Sequence, residues 1–240
     1  MDAGSGALVA ACVLIASAAF GEYRTIAVPN GGGVAGHVRV VGEVPTLPPQ
    51  VVDKQHAQCG ETVKDERVLV GAGGALRNVV VTLNDVTAGK AVARDQPVRL
   101  DNTKCTFVPH VLSASLGQTL EIRNTDTFLH DAHAWLGTRT LFNVALPKGR
   151  TVRKPLEDAG LVQINCNVHH AWMHAYLYVA EHPYHAVTGA DGGFSIDGIP
   201  PGTYTVHVWH ELLGSADRQV TVESGKTTAL DLELRAGAAP

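Results

Sequence analysis

The chain is 240 residues long, which suits one large or two small domains, and its formal net charge is −4. The chain has no excess of basic residues, which argues against a nucleic-acid partner. Short runs rich in Val and Thr dominate, Gly and Pro are frequent, and no long stretch shows the 3.6-residue repeat of a helix. The sequence therefore predicts an all-β protein.

An apolar run covers residues 7–20, which is too short to cross a bilayer comfortably and suits the core of a signal peptide. Small residues at positions 16–19 offer a cleavage site. Asp2 stands where a basic residue is expected, so one part of a complete signal peptide is missing. We predict that residues 1–20 are a signal peptide, that the mature protein is periplasmic or secreted, and that no stable membrane span remains after cleavage.

The next part of the chain holds two predicted strands separated by irregular structure. Residues 33–42 alternate between apolar and polar or small side chains, which is typical of a strand. Several prolines then interrupt regular structure, and the chain around Cys59 is polar. Residues 77–83 predict the second strand, and the polar stretch 85–96 marks a candidate domain boundary.

Short strands are predicted at close spacing over residues 97–181, which is the spacing of a β-sandwich. They fall at 98–101, 105–108, 111–115, 120–123, 130–135, 141–146, 151–153, 161–166 and 175–180. Beyond Pro183, strands alternate with Gly and Pro turns to the end of the chain. The sequence thus predicts a sandwich at 97–181 and a smaller one at 182–236.

The stretch 164–174 carries a thiol, imidazoles and a thioether within a few residues. Cys166 follows the strand 161–166 on the face of Val162 and Ile164, so its thiol is predicted to point into the core. Cys, two His and a weakly bound axial Met are the donors of a blue-copper site. Zinc also binds Cys and His, but the thioether of Met173 favours copper. His130, just past the strand 120–123, is the candidate remote histidine.

These two stretches resemble the cupredoxin (plastocyanin-like) family, a Greek-key sandwich with one early His and a late Cys–His–Met loop. The resemblance implies a copper ion bound by His130, Cys166, Met173 and either His169 or His170. Cys166-x-x-x-His170-x-x-Met173 has the spacing of the copper domain of cytochrome oxidase subunit II, whereas Cys166-x-x-His169 has the plastocyanin spacing.

The sequence also departs from the cupredoxin pattern at two points. Cupredoxins often carry Asn after the first histidine, and this chain has Asp131 there. Three further histidines, His110, His133 and His174, lie close in sequence to the proposed ligands, and their roles stay open. With so many histidines nearby, the sequence alone fixes neither the geometry of the copper ligands nor the number of metal ions.

The cysteine count suggests one disulfide and one special thiol. Cleavage of the signal peptide would remove Cys12 and leave three cysteines. In an oxidising compartment, Cys59 and Cys105 form the natural pair, because Cys166 is assigned to the metal. The alternative is that Cys59 and Cys105 are both reduced.

The C-terminal segment resembles the carboxypeptidase regulatory-like family of transthyretin-like sandwiches. The resemblance is carried by Thr-x-x-Asp-Gly-x-Phe from Thr188 and by Pro-Pro-Gly-x-Tyr from Pro200. Residues 182–236 alone are short for a full sandwich, so we predict that the strands within 33–96 belong to it and that the cupredoxin-like region 97–181 is inserted. The combination resembles bacterial periplasmic proteins described as methylamine utilization or plastocyanin-like proteins.

The sequence favours a one-electron carrier with a copper ion and an unidentified redox partner protein. One alternative is a copper or zinc binding or storage protein without redox work, which the surplus of histidines favours. Another is a β-sandwich interaction module without metal. An enzyme is not expected, because the sequence shows no second cluster suited to a separate substrate-binding copper centre and no paired nucleophile and base.

Overall fold

The computed structural model describes residues 23–168 and 172–237; the predicted signal peptide, 1–20, lies outside them. The described part is built almost wholly of strands, with a single-turn helix α1 (His56–Cys59) and a 3₁₀ turn (Ala72–Gly74). The predicted all-β class is confirmed. The strands are, in order, β1 (Arg24–Thr25), β2 (Gly32–Val41), β3 (Gln50–Val51), β4 (Thr62–Val63), β5 (Val80–Asn84), β6 (Ala88–Gly89), β7 (Val98–Thr103), β8 (Thr106–Val108), β9 (Val111–Ser115), β10 (Thr119–Asn124), β11 (His130–Leu136), β12 (Arg139–Leu146), β13 (Thr151–Pro155), β14 (Gly160–Asn165), β15 (His174–Ala180), β16 (His185–Val187), β17 (Gly193–Ile199), β18 (Gly202–His210), β19 (Gly214–Val222), β20 (Thr227–Ala229) and β21 (Leu232–Arg235).

Two sheets enclose the first hydrophobic core. One has the order β13-β10-β7-β8, and the other has the order β12-β11-β14-β15-β9. Strand β10 shows why these residues form a sandwich: Leu120 and Ile122 are fully buried, whereas Glu121 and Arg123, which alternate with them, face outwards. Alternation with period two places one face of each strand in the core, and burial of that face stabilises the sandwich. We call this unit the first sandwich.

A separate core lies between two other sheets, which form the second sandwich. Their orders are β16-β5-β18-β19 and β17-β2-β20, with β21 pairing the far part of β2. Val34 and Val38 of β2, Val81 of β5 and Val208 of β18 are all fully buried in this core. The N-terminal strands β2 and β5 therefore share a core with strands from the C-terminal part of the chain.

The strand pairing explains how one chain builds both units. Strand β2 pairs with β17, β20 and β21, and β5 pairs with β16 and β18. All strands of the first sandwich, β7–β15, come between β5 and β16 in the sequence. We therefore propose that the first sandwich is an insertion within the second.

The segment around 50–63 differs from the sequence prediction, which grouped residues 33–96 with the second sandwich. Val52 is fully buried in the first core, and Cys59 and Val63 pack against it. Cys59 is also joined by a disulfide to Cys105, which lies between β7 and β8. This segment is mostly polar and has few apolar residues, so its sequence did not indicate which sandwich it packs against.

The two sandwiches also contact each other through a buried imidazole. His185, the first residue of β16, belongs to the second sandwich, and both of its ring nitrogens meet serines of β9 in the first. Its Nδ1 lies 2.8 Å from Ser113 Oγ, and its Nε2 lies 3.0 Å from Ser115 Oγ. Burial, together with the nearby His182 and Lys90, lowers the pKa of His185 to about 4.

This depressed pKa predicts that the fold loses stability in acid. Between pH 6.5 and 4 the unfolded chain binds a proton at His185 that the folded chain excludes, so the free energy of unfolding falls as the pH falls. The full difference amounts to about 3 kcal/mol. Urea unfolding at pH 7.5 and 4.5 should show a drop in the free energy of unfolding that is smaller by about 2.5 kcal/mol in His185→Gln than in the wild type. The exposed His56→Gln should match the wild-type drop, and an unchanged drop in His185→Gln would disprove the assignment.

Within residues 23–168 and 172–237, no helix is long and apolar enough to cross a lipid bilayer.

Candidate metal centre

Three of the predicted ligands lie at one end of the five-stranded sheet. His130 begins β11, Cys166 directly follows β14, and Met173 directly precedes β15. Strand β14 pairs with β11 on one side and with β15 on the other, so the three residues are brought to adjacent strand ends. Their exposures are 0%, 3% and 1%, respectively, so all three are buried.

The side chains of His130 and Cys166 face each other. Sγ of Cys166 lies 3.8 Å from Nδ1 of His130. The backbone N–H of Cys166 donates a hydrogen bond of 3.2 Å to the carbonyl of Met173, which closes the loop between β14 and β15. The other predicted ligands in that loop, His169 and His170, lie outside the described residues.

Asp126 fixes the orientation of the His130 ring. Its Oδ2 lies 2.9 Å from Nε2 of His130, which leaves Nδ1 directed at the thiol. The same carboxylate accepts hydrogen bonds from the backbone N–H groups of Lys104 and Cys105, at 2.7 and 2.9 Å. A carboxylate on the remote nitrogen of a histidine ligand is the usual support that sets its tautomer and direction. Asp126 was not among the predicted site residues, although it stands only four residues before His130.

Burial controls the protonation of both facing groups. It lowers the pKa of His130, although the Asp126 carboxylate partly opposes the shift, so the ring is kept neutral. Burial also raises the pKa of the Cys166 thiol to about 12, with further influence from Asp131. The site therefore holds a thiol proton that a metal ion would have to displace, because the thiolate is the metal-binding form.

Asp131 holds the backbone immediately after Cys166. Its Oδ1 accepts hydrogen bonds from the backbone N–H of Asn167, at 2.6 Å, and from that of Val168, at 3.0 Å. The carboxylate is buried, with 5% exposure, so these two amides are its specific partners. The aspartate that departs from the cupredoxin pattern thus anchors the backbone of Asn167 and Val168.

His133 contacts the segment that follows Cys166. The side-chain amide of Asn167 donates to His133 Nδ1 at 2.5 Å, and His133 Nε2 lies 3.0 Å from Thr140 Oγ1. The imidazole ring also stacks on Trp135, with 3.8 Å between the centroids. His133 is therefore a positioning residue for the loop.

Trp172 packs in the first core. Its exposure is 6%, and its Nε1–H donates a hydrogen bond of 2.9 Å to the carbonyl of Cys105. Of the two roles open to this side chain from the sequence, docking surface or core packing, the structure shows core packing.

His110 and His174, whose roles the sequence left open, are brought together with Glu211. Their ligand atoms all lie within 4.8 Å of one another. Glu211 is 101 positions from His110 in the sequence and lies in the turn between β18 and β19. The two histidines were named from the sequence without being grouped, and Glu211 was not singled out. No local motif could have revealed the cluster, because its members come from both sandwiches.

Residues 174–235 match the family model of the carboxypeptidase regulatory-like domain. The chain carries a carboxypeptidase regulatory-like domain. The match begins at His174, earlier than the predicted start at 182, and so includes β15, which pairs within the first sandwich. The rest of this regulatory-like domain corresponds to strands of the second sandwich. No curated protein matches the chain.

Among solved structures, the chain is similar to a Cu-containing nitrite reductase from Thermus scotoductus SA-01, with 26% identity and a TM-score of 0.33. The match covers 36% of this chain and 23% of the reductase chain, so the chain spans about a quarter of that protein. A purple cupredoxin from Nitrosopumilus maritimus matches with 20% identity and a TM-score of 0.32, over 35% of this chain and 99% of the other. A reduced amicyanin mutant matches with 20% identity and a TM-score of 0.32, over 41% and 97%, respectively.

Proposed function

We propose that this protein is a copper-binding electron carrier of the periplasm or the extracellular space, and not an enzyme. The observation that carries the proposal is the buried pair in which His130 Nδ1 faces the Cys166 thiol at 3.8 Å. Buried Met173 at the adjacent strand end completes a Cys–His–Met donor set that suits copper better than zinc. A bound copper ion would supply one-electron redox chemistry, with a redox partner protein that is yet to be identified.

Each proposed ligand has a distinct role. Cys166 would bind as thiolate and contribute the strongest bond, and His130 would bind through Nδ1. His169 or His170 would complete the strong set from the same loop. Met173 would bind weakly on the axis and adjust the reduction potential.

The surroundings of these residues suit electron transfer. Asp126 and Asp131 hold the His130 ring and the Cys166 loop by hydrogen bonds that do not depend on a metal. A site held in this way needs little rearrangement between two oxidation states. Burial of these residues would also keep water from a bound metal and raise the influence of nearby charges on its potential.

The Cys59–Cys105 disulfide supports the proposed location. Disulfides persist in oxidising compartments such as the periplasm and the extracellular space, and they are rare in the cytosol. Cys166 is not part of this disulfide.

A visible spectrum after addition of one equivalent of Cu(II) tests the proposal. We expect an intense charge-transfer band that is absent in Cys166→Ser, because the band requires a copper–thiolate bond. Met173→Leu should keep the band and shift the reduction potential, since it removes only the weak axial ligand. His169→Ala and His170→Ala, compared singly, identify the second histidine as the one whose loss abolishes the band.

Other outcomes would select the other functions. A colourless protein that retains Cu(II) or Zn(II) would indicate metal binding or storage without redox work. A folded protein that binds neither metal would leave a β-sandwich interaction module and would refute the proposal.

A further inference from the structure

A second group of metal-binding side chains lies where the two sandwiches meet. His110 lies between β8 and β9 and His174 begins β15, both in the first sandwich, whereas Glu211 comes from the second. His110 Nε2 contacts Glu211 Oε1, and His174 Nε2 lies 3.6 Å from Glu211 Oε2. The side-chain exposures of His110 and Glu211 are 5% and 4%, and that of His174 is 19%.

Neighbouring backbone fixes both histidines. The parallel pairing of β9 with β15 continues to His110, whose carbonyl accepts a hydrogen bond of 2.9 Å from Tyr176 N–H. Nδ1 of His174 lies 3.2 Å from the carbonyl of Trp172 and donates to it. This contact fixes the ring so that Nε2 faces Glu211. A backbone carbonyl in this position is a usual support for a metal-binding histidine.

The buried carboxylate of Glu211 requires a positive partner. Its two oxygens face the imidazole rings of His110 and His174, which would bind a metal ion as neutral ligands. Arg67 lies near enough to interact electrostatically, yet its guanidinium is bound to Asp65 at 2.6 Å. A buried charge is costly unless it is paired or coordinates a metal. A divalent cation among the three side chains would provide that pairing.

We propose that His110, His174 and Glu211 form a second metal site, for Zn²⁺, that joins the two sandwiches. Two histidines and one glutamate are a donor set that binds zinc and leaves a fourth position open. A cavity of about 20 Å³ borders His110 and His174 and has room for one water-sized ligand. The site differs from the proposed copper centre in its donors and in its dependence on the second sandwich.

Zinc binding to the full mature chain with Cys166→Ser tests this proposal, because that substitution removes the thiolate of the first centre. Equilibrium dialysis should show one tightly bound Zn²⁺ per chain, and Zn²⁺ should raise the Tm. Adding Glu211→Gln, which keeps the shape but replaces one carboxylate oxygen by an amide nitrogen, should weaken zinc binding at least about tenfold, since even outer residues of a metal site cost about 10–100-fold. Co²⁺ should give the visible bands of a tetrahedral site in Cys166→Ser, and these bands should be absent when Glu211→Gln is added.

Matched variants separate loss of the site from loss of the fold. Asp217→Asn alters an exposed carboxylate that pairs with His207 at 2.6 Å, and it should leave zinc affinity unchanged. His110→Gln offers a second route to the same loss if Glu211→Gln proves unstable by circular dichroism. Failure of the Cys166→Ser chain to bind Zn²⁺, or equal affinity with and without Glu211→Gln, would overturn the proposal. Neither result depends on whether copper binds at Cys166.

Discussion

Removal of the Cys59–Cys105 disulfide, in the double variant Cys59→Ala/Cys105→Ala, should lower the free energy of unfolding by about 4 kcal/mol. The two cysteines are 46 positions apart, and a cross-link that closes a loop of this length removes that much conformational freedom from the unfolded chain. The bond ties α1 and its neighbouring strands to the β7–β8 hairpin of the first sandwich.

Chemical denaturation of the purified chain measures this effect. The wild-type chain unfolded in excess reductant should show the midpoint of the double variant, because both lack the bond. Cys166→Ser is the control, since its thiol lies outside the disulfide and should leave the response to reductant intact. A difference below about 1 kcal/mol would show that packing of Val52 and its neighbours holds this segment without the bond.

Local patterns in the sequence were enough to predict the strands and the position of the thiol. Val162, Ile164 and Cys166 alternate with polar or exposed residues, and all three are buried on the same face. Alternation of apolar and polar residues with a period of two indicates which side chains face a core. Strands can therefore be placed from neighbouring residues alone. The adjacency of His130 and Cys166 also followed, because both were predicted at strand ends of one sandwich.

Features that depend on how distant segments dock were not predictable. The segment 50–63 packs against the first core through a few apolar residues and a disulfide. No periodic pattern in the sequence indicates these contacts. The cluster of His110, His174 and Glu211 exists only because a turn of the second sandwich meets two strand ends of the first. The way two sandwiches pack together depends on the shape and burial of whole surfaces. The spacing of residues within one stretch of sequence does not show these properties.

Replacing Asp131 by alanine should lower the free energy of unfolding by about 3 kcal/mol, whereas Asp131→Asn should cost less than about 1 kcal/mol. One carboxylate oxygen accepts the N–H groups of both Asn167 and Val168, and hydrogen bonds to a charged group contribute about 1.5–3 kcal/mol each. Alanine removes the acceptor, while asparagine retains an oxygen in the same place. Urea denaturation of the metal-free variants measures the difference.

The matched control for Asp131 is an exposed aspartate. Asp158 pairs with Arg139 at 2.7 Å on the surface, and Asp158→Ala should cost well under about 1 kcal/mol because water screens such pairs. A loss of similar size in Asp131→Ala and Asp158→Ala would contradict the view that Asp131 anchors the backbone of Asn167 and Val168.

The same pair of Asp131 variants separates charge from geometry in the proposed copper form. Asp131 lies close enough to Cys166 to disfavour its thiolate. A negative charge in that place stabilises Cu(II) relative to Cu(I), so Asp131→Asn should raise the reduction potential while leaving the charge-transfer band in place. One unit charge about 5–8 Å away at an effective dielectric of about 20 contributes about 2–3 kcal/mol, or roughly 90–140 mV for one electron. Redox titration that shows no rise in Asp131→Asn would mean that Asp131 acts on the loop alone, through its two amide hydrogen bonds.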